Sequence, residues 1–508
     1  MRTIGRMHRL LLGVLLLAAT SHSWWRRFLI DDAYIAFRYA ANLVAGHGLV
    51  FNPGERVEGY SNFLWTLMMA AGMQAGLEPG TFSQAAGMAA SVTLLIVLWR
   101  WGRDLGLSPL WSLAAPAMLA VNRSYAAWAT GGLETRFFSL LVAAGAWRLH
   151  REMAAPDRRM AIPWSALLLG LACLTRPEGY IAAAVALGAL AWRAGRDGEW
   201  RPVWAAALAL GVVCGAHVAW RLAYYGDWVP NSFHAKVAGP RFVSGAVYLG
   251  VFARTHLLLP ALVAAGALAA GRRLRARPGP FALPFVALFA AYTLAVGGDH
   301  FEFRFVDVLL SFLALGAAAL GARATETAPR AIAAAAGALL VAAAAWPTVA
   351  GFDGVERHIA IGGRTHYISI VSVETEQRYL DYWTRIGVWL REHAGPGESI
   401  ALTPAGVIPY LTGLRTLDML GINDREIARG PALPGRNVGH EKRVEADVAR
   451  ARGITYLIAD PVISIDSAPH PPRAVEVDFG DFRWYFLPLA EGARIPPGST
   501  WKAGKAGA

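Results

Sequence analysis

Apolar stretches rich in Ala, Leu and Val alternate with short polar turns through the first two thirds of the chain. They fall at 10–25, 83–100, 109–122, 135–149, 161–175, 179–195, 203–221, 252–270, 280–297, 304–321 and 331–348. Each is read as a transmembrane helix, the shorter ones tilted or set in a locally thinned slab about 30 Å thick. A further apolar stretch at 61–77 is read as a surface or re-entrant helix, and charge decides it. With the N-terminus inside, the Arg-dense turns 100–103, 148–159, 193–201, 272–277 and 323–330 all face the cytoplasm, as the positive-inside rule expects. A crossing at 61–77 would turn 272–277 outward. The first stretch then serves as an uncleaved anchor rather than a signal peptide.

The pattern changes beyond about 349, where apolar runs shorten and charges return. Residues 398–402, 414–419 and 454–459 read as strands, and 375–394 and 405–411 as helices. The expected fold is therefore a mainly α membrane protein. About eleven transmembrane helices fill 1–348, with surface helices in the first outer loop. An extracytoplasmic α/β domain follows at 349–508, its tail disordered from Pro496.

Composition agrees with a membrane span count of this size. Of 508 residues 55% are hydrophobic and only 17% charged. The net charge of +12 does not indicate nucleic acid, because the Arg residues sit in short loops between apolar spans. Cys173 and Cys214 lie within apolar segments and suggest neither a disulfide framework nor a zinc site. There is no Walker loop, no Gly-x-Gly-x-x-Gly and no Asp-x-Asp motif.

The same topology gathers the acidic residues on the outer side. Asp31 and Asp32 follow the first apolar stretch and head a segment in which Tyr34, Phe37, Ala41 and Val44 recur at helical spacing. That predicts an amphipathic helix lying on the bilayer. One Asp suffices for a helix cap, and a like-charged pair repels, so at least one is a candidate catalytic or cation-binding group. Asp31, nearer the membrane boundary, is the favoured base and Asp32 the cap.

Four further outer loops carry polar groups. Glu134 opens a span, where a helix N-terminus alone would also favour it. Arg176 and Glu178 flank Pro177, as a local ion pair or as a site for a lipid phosphate. Asn231, His234 and Lys236 share a loop with aromatics that serve equally as interfacial anchors. Asp299, His300 and Arg304 follow Gly297-Gly298. The charged cluster His440-Glu441-Lys442 in the last third reads either as a contact for acceptor sugar or as solvated surface, the second being favoured.

The run 31–65, with its acidic pair, surface helix and Gly-rich segment ending Glu58-Gly59-Tyr60-Ser61-Asn62, resembles the terminal β-(1→2) arabinofuranosyltransferases of mycobacterial cell walls and their bacterial relatives, within the GT-C superfamily. Glu134 with Thr135, and the Gly-Gly-Asp…Arg-Phe element at 297–305, are similar to the same family. The resemblance implies a glycosyltransferase of the bacterial cytoplasmic (inner) membrane. It would move arabinofuranose from a polyprenyl-phosphate donor to a cell-envelope glycan on the outer face. Arg176, His234, Lys236 and Arg304 become candidates for the donor phosphate. Arg38, Glu58, Tyr60, Asn62, Glu134, Glu178, Asn231, Asp299 and His300 become candidates for substrate contact. Whether a divalent cation sits on the acidic pair stays open, as does retention or inversion at the anomeric carbon. Two other readings remain: a superfamily enzyme using another lipid-linked sugar, and a non-enzymatic lipid or polysaccharide transporter. The latter calls for charges at span centres or inverted repeats, which the sequence does not show.

Overall fold

The computed structural model describes residues 2–154, 162–236, 239–256, 279–361, 363–433, 439–464, 474–490 and 493–502. Ten of the apolar stretches fold as helices: Arg2–Trp25, Pro79–Asp104, Pro109–Ala120, Thr135–Ala154, Trp164–Thr175, Gly179–Asp197, Arg201–Tyr225, Gly279–Val296, Asp307–Ala324 and Arg330–Ala350; a further helix, Phe242–Thr255, begins ten residues before the expected span 252–270. Among the described residues four of these are long and apolar enough to cross a membrane by themselves: Pro79–Asp104, Arg201–Tyr225, Asp307–Ala324 and Arg330–Ala350. Most of the expected span 252–270, and the turn 272–277, lie outside the described residues. The stretch expected not to cross forms the 12-residue helix Phe63–Gln74, too short to span upright.

Small side chains let the helices of the bundle approach closely. Ala143, Ala146, Ala172, Ala182 and Ala314 are buried in one continuous core with Leu94, Leu169 and Phe285. One ion pair is sealed inside it. Arg136 of Thr135–Ala154 grips Asp307 of Asp307–Ala324, with Nη2 donating to Oδ1 at 2.7 Å and both side chains fully buried.

The C-terminal region is built on strands. β1 (Val355–Ile361) and β2 (Arg364–Ile370) form an antiparallel hairpin directly after the last membrane helix. β3 (Ser399–Leu402), β4 (Arg415–Asp418), β5 (Tyr456–Ser464), β6 (Ala474–Asp478), β7 (Arg483–Pro488) and β8 (Thr500–Lys502) form one sheet in the order β4-β3-β5-β7-β6-β8. β3 runs parallel to β4 and β5, and the other pairs are antiparallel. The expected strands at 398–402, 414–419 and 454–459 are β3, β4 and the start of β5. The helix Val373–His393 packs Ile386 and Leu390 against this sheet. Part of the tail is ordered, contrary to expectation: Thr500–Lys502 pairs with β6, its backbone bonds satisfied by an edge that the sequence pattern does not announce.

The surface helix is also corrected. Asp31–Val44 does not lie between lipid and water: Asp31, Ala33 and Ile35–Ala40 are all buried. The helix Phe63–Gln74 packs along it, and the short helix Val407–Thr412 covers it from the C-terminal region. With apolar neighbours on both sides, its amphipathic stripe is only half of what it buries.

Candidate functional site

Ile30, in extended conformation, precedes the first turn of Asp31–Val44, and both aspartates stand in that turn, where the helix dipole favours negative charge. Their surroundings differ. The two oxygens of Asp31 accept the backbone N–H groups of Gly406 at 3.0 Å and Val407 at 2.7 Å. Any Cβ at position 406 would fall 2.0 Å from the Asp31 carbonyl oxygen and 2.5 Å from its carboxyl group, so only glycine brings that N–H close enough. Burial pushes the Asp31 carboxyl up to about 8, against the downward pull of the Val407 N–H. Asp31 thus docks the C-terminal region onto the first outer loop. Both aspartates reach open space, but the Asp31 oxygens are engaged by these N–H groups, whereas Asp32 lines both cavities, which is not the division of labour expected.

That space consists of two cavities. One, of about 630 Å³, lies among the membrane helices and the outer loops. Glu134, Arg176, Glu178, Asp299 and Arg304 line it together with Tyr60, Asn62 and Phe305. The other, of about 720 Å³, lies between the first outer loop, the hairpin strand β2 and the C-terminal region. Glu376, Tyr379, Trp383 and Asp460 are on its wall. Six residues belong to both: Asp32, Ile35, Lys236, His300, Ile422 and Gly439. The cavities therefore meet at an acid, a primary amine and an imidazole.

The membrane-side cavity holds a dense charge network. Glu134 accepts from Arg304 at 3.0 Å, from Arg176 at 3.3 Å and from the Asn62 amide at 2.8 Å. Arg176 also pairs with Glu178 at 3.0 Å. Burial works against ionisation of Glu134, but the two guanidiniums outweigh it and hold its carboxyl below the usual range. Asp299 sits 3.3 Å from His300 and 3.6 Å from Arg304. Burial again opposes its charge, yet His300 and Arg304 hold it far below a normal carboxylate. His300 is correspondingly raised, since Asp299 outweighs its burial. The turn that presents this pair needs its glycines: Gly298 has φ +80° and packs its backbone on Tyr248, where a Cβ would meet the ring at 2.4 Å. Arg176 and Arg304 come with their counter-charges. Lys236 does not: no carboxylate lies within 4.0 Å of its ammonium among the described residues.

Four candidates are not on either cavity wall. Arg38 is a buried clamp, donating to the carbonyls of Phe51 at 2.7 Å and Leu414 at 2.8 Å, and to that of Pro409. Glu58 is held by Arg221 at 2.6 Å, and burial raises it to about 7. Asn231 donates to the carbonyls of Gly421 and Ile422, both at 2.9 Å, joining its loop to the C-terminal region. His234 turns away to Asp227 at 3.2 Å, a carboxylate that Arg429 also holds. Arg38, Glu58 and His234 are thus engaged by protein groups, whereas Asn231 uses its amide NH2 in this way and keeps a buried Oδ1 without a partner among the described residues.

Other groups were hidden from sequence reasoning. Glu376 emerges from the C-terminal region beside Asp32 and His300, 7% exposed. His440 reaches the second cavity, its ring 5.1 Å from that of His300. Its neighbour Glu441 is fully buried against Arg241 at 2.6 Å, so this cluster is not solvated surface. Glu302 binds Arg123 at 2.7 Å and the backbone N–H of Val373 at 3.1 Å, fixing the start of the helix that carries Glu376. No cluster of three or more His, Cys, Asp or Glu side chains disposed for a metal occurs among the described residues. The acidic pair itself is a poor cation cradle, since both oxygens of Asp31 are turned to N–H groups.

This geometry can be set beside known proteins. The chain is similar to the terminal β-(1→2)-arabinofuranosyltransferase of Mycobacterium tuberculosis, 31% identical over 254 residues, covering 47% of this chain and 40% of the relative. The match thus spans well under half of that longer protein. In structure, ArnT from Cupriavidus metallidurans bound to undecaprenyl phosphate superposes with TM-score 0.51 at 10% identity, covering 80% of this chain and 85% of ArnT. The oligosaccharyltransferase of Archaeoglobus fulgidus superposes with TM-score 0.56 at 12% identity, covering 97% and 76%. The chain therefore shares its fold with ArnT and with the archaeal oligosaccharyltransferase. Residues 368–500 also match a domain of unknown function, DUF8728, which takes in the sheet and the second cavity's aromatic wall but none of the membrane helices.

Proposed function

We propose that the protein transfers a sugar, arabinofuranose in the favoured reading, from a polyprenyl-phosphate donor to a glycan acceptor at the outer face of the bacterial cytoplasmic membrane. The observation that carries this is the meeting of two cavities at Asp32, Lys236 and His300. A lipid-linked donor entering among the membrane helices and an acceptor entering beneath the C-terminal region would reach each other there. The M. tuberculosis relative, named for arabinofuranosyl transfer, supports the sugar, and the undecaprenyl phosphate of the ArnT structure supports the carrier.

The chemistry follows from the groups present. Asp32 takes the proton from the acceptor hydroxyl as its oxygen bonds to the anomeric carbon. The bond from that carbon to the phosphate oxygen breaks, and the electron pair leaves with the phosphate. Lys236 stands on the cavity wall to meet the charge that develops, with Arg304 and Arg176 behind it. Glu134, Glu178 and Asp299 keep those two arginines oriented and cancel most of their charge, which leaves Lys236 as the main counter-ion. His234, paired with Asp227, is not part of this set.

The test is transfer in membranes with a panel of synthetic polyprenyl-phosphate sugars, comparing the wild type with Asp32→Asn. Transfer from polyprenyl-phosphate arabinofuranose that falls at least about a hundredfold in the variant is expected. Near wild-type transfer by Asp32→Asn would remove the base from this mechanism. A preference for another sugar in the panel would leave the reaction class standing and replace the donor.

A further inference from the structure

The second cavity has an aromatic wall close to Asp32 and Glu376. Tyr379 and Trp383 stand one turn apart on the helix Val373–His393, their rings stacked with centroids 5.5 Å apart and planes 14° from parallel. Tyr379 is 41% exposed, so its ring is open to a ligand in the cavity. Across the cavity Arg443 pairs with Asp460 at 2.7 Å, both at least a quarter exposed and so able to bond outward. Deeper in, Glu376 is buried, lines the cavity beside Asp32, and makes no side-chain hydrogen bond among the described residues. A buried carboxylate without a donor is costly, and such a group is normally satisfied by a ligand or water.

A flat aromatic face flanked by a carboxylate and a guanidinium matches a sugar ring. The ring's C–H face is apolar and its edge carries hydroxyls that donate to carboxylates and accept from guanidinium. The sign of the charge narrows the class. Asp32 and Asp460 face Lys236 and Arg443 around this space, while burial raises Asp31 and Glu376 toward their neutral forms, so the wall carries balanced charge and suits an uncharged acceptor. Resting on the transferase reading above, we propose that the second cavity binds the acceptor as a neutral glycan, its sugar ring laid on the Tyr379–Trp383 platform and one hydroxyl donated to Glu376 next to Asp32. Glu376 then orients the hydroxyl whose neighbour Asp32 deprotonates.

Binding without turnover tests this independently of the donor. The purified full chain is titrated with neutral oligosaccharides of arabinofuranose, galactofuranose, mannose and glucose, and with a phosphorylated arabinofuranose oligosaccharide, followed by ligand-observed NMR. At least one neutral oligosaccharide is expected to bind, and more tightly than the phosphorylated one. Trp383→Ala and Tyr379→Ala are expected to weaken it about tenfold, and Trp383→Phe to restore most of the loss. Glu376→Gln is expected to raise the acceptor KM more than it changes the donor KM. A thermal shift with undecaprenyl phosphate confirms that each variant is folded. Binding of no neutral oligosaccharide overturns the proposal, as does binding that Trp383→Ala and Tyr379→Ala leave intact, or tighter binding of the phosphorylated one. If the neutral glycan binds on the platform while Asp32→Asn still transfers sugar, the platform stands and the catalytic reading falls.

Discussion

Asp31 and Asp32 are neighbours in sequence, yet one bonds to Gly406 and Val407 and the other faces both cavities. Substitution by Asn separates the two. Asp32→Asn should abolish transfer with little change in thermal stability. Asp31→Asn turns an amide NH2 toward an N–H donor, costing about 1–3 kcal/mol of stability while transfer falls less. Thermal unfolding and initial rates on the same preparations check the pair, and equal rate losses without destabilisation in Asp31→Asn would contradict it. Glu376 adds a pH signature. Burial raises it to about 7, against the lowering by His300 and with Asp32 raising it further. A carboxyl whose folded value exceeds its unfolded value near 4.5 holds its proton more tightly when folded. It therefore lowers stability as pH climbs from about 4.5 to about 7, by up to about 1.4 kcal/mol per pH unit. The difference in melting temperature between wild type and Glu376→Gln should move in favour of the variant across that window. A constant difference would show that Glu376 titrates normally.

At the scale of elements, the helix Asp31–Val44 is the hinge of the arrangement because it is gripped from above. Gly406 precedes the helix Val407–Thr412 and brings its N–H groups onto Asp31, while Arg38 reaches the carbonyls of Pro409 and Leu414 around the same helix. Gly406→Ala would place a methyl group inside van der Waals contact with the Asp31 backbone. Overpacking of this kind costs about 1–3 kcal/mol, here concentrated on the docking of the C-terminal region. Limited proteolysis should release fragments of that region faster in Gly406→Ala, with the helical bundle still protected. Unchanged cleavage would mean the contact is not what holds the two together. The acceptor cavity, whose walls come from both sides of this contact, should lose its glycan affinity in the same variant.

For the whole molecule, the positive-inside pattern makes the sharpest statement. If the Arg-rich turn 272–277 is inside and an odd number of crossings precedes Gly351, the C-terminal region would lie outside, which is the placement we propose. Reporter fusions after Arg277 and after Gly351 should signal from opposite sides of the membrane. Signals from one side would overturn the orientation, and with it the outer-face placement of transfer.

Hydropathy and charge by themselves determined where the membrane helices lie, that 61–77 is a short separate helix, and that strands begin near 398, 414 and 454. These are properties of single segments, set by periodicity and by the solvent each faces. The outer-loop chemistry was half legible for the same reason. Glu134, Arg176, Asp299, His300, Arg304 and Lys236 gather at one cavity because they all stand at the same ends of neighbouring helices. The tertiary structure decided what no local pattern encodes. Glu376 lies 344 residues after Asp32 and becomes its neighbour only when the C-terminal region folds back onto the first loop. His234 looks like a ligand group in sequence, but Asp227 takes its ring nitrogen, and Asn231 spends its amide NH2 on the carbonyls of Gly421 and Ile422. The difference in surroundings between Asp31 and Asp32 has the same cause. A carboxylate is free or spent according to which N–H groups arrive beside it, and those of Gly406 and Val407 come from a segment that is distant in the chain and adjacent only in the fold.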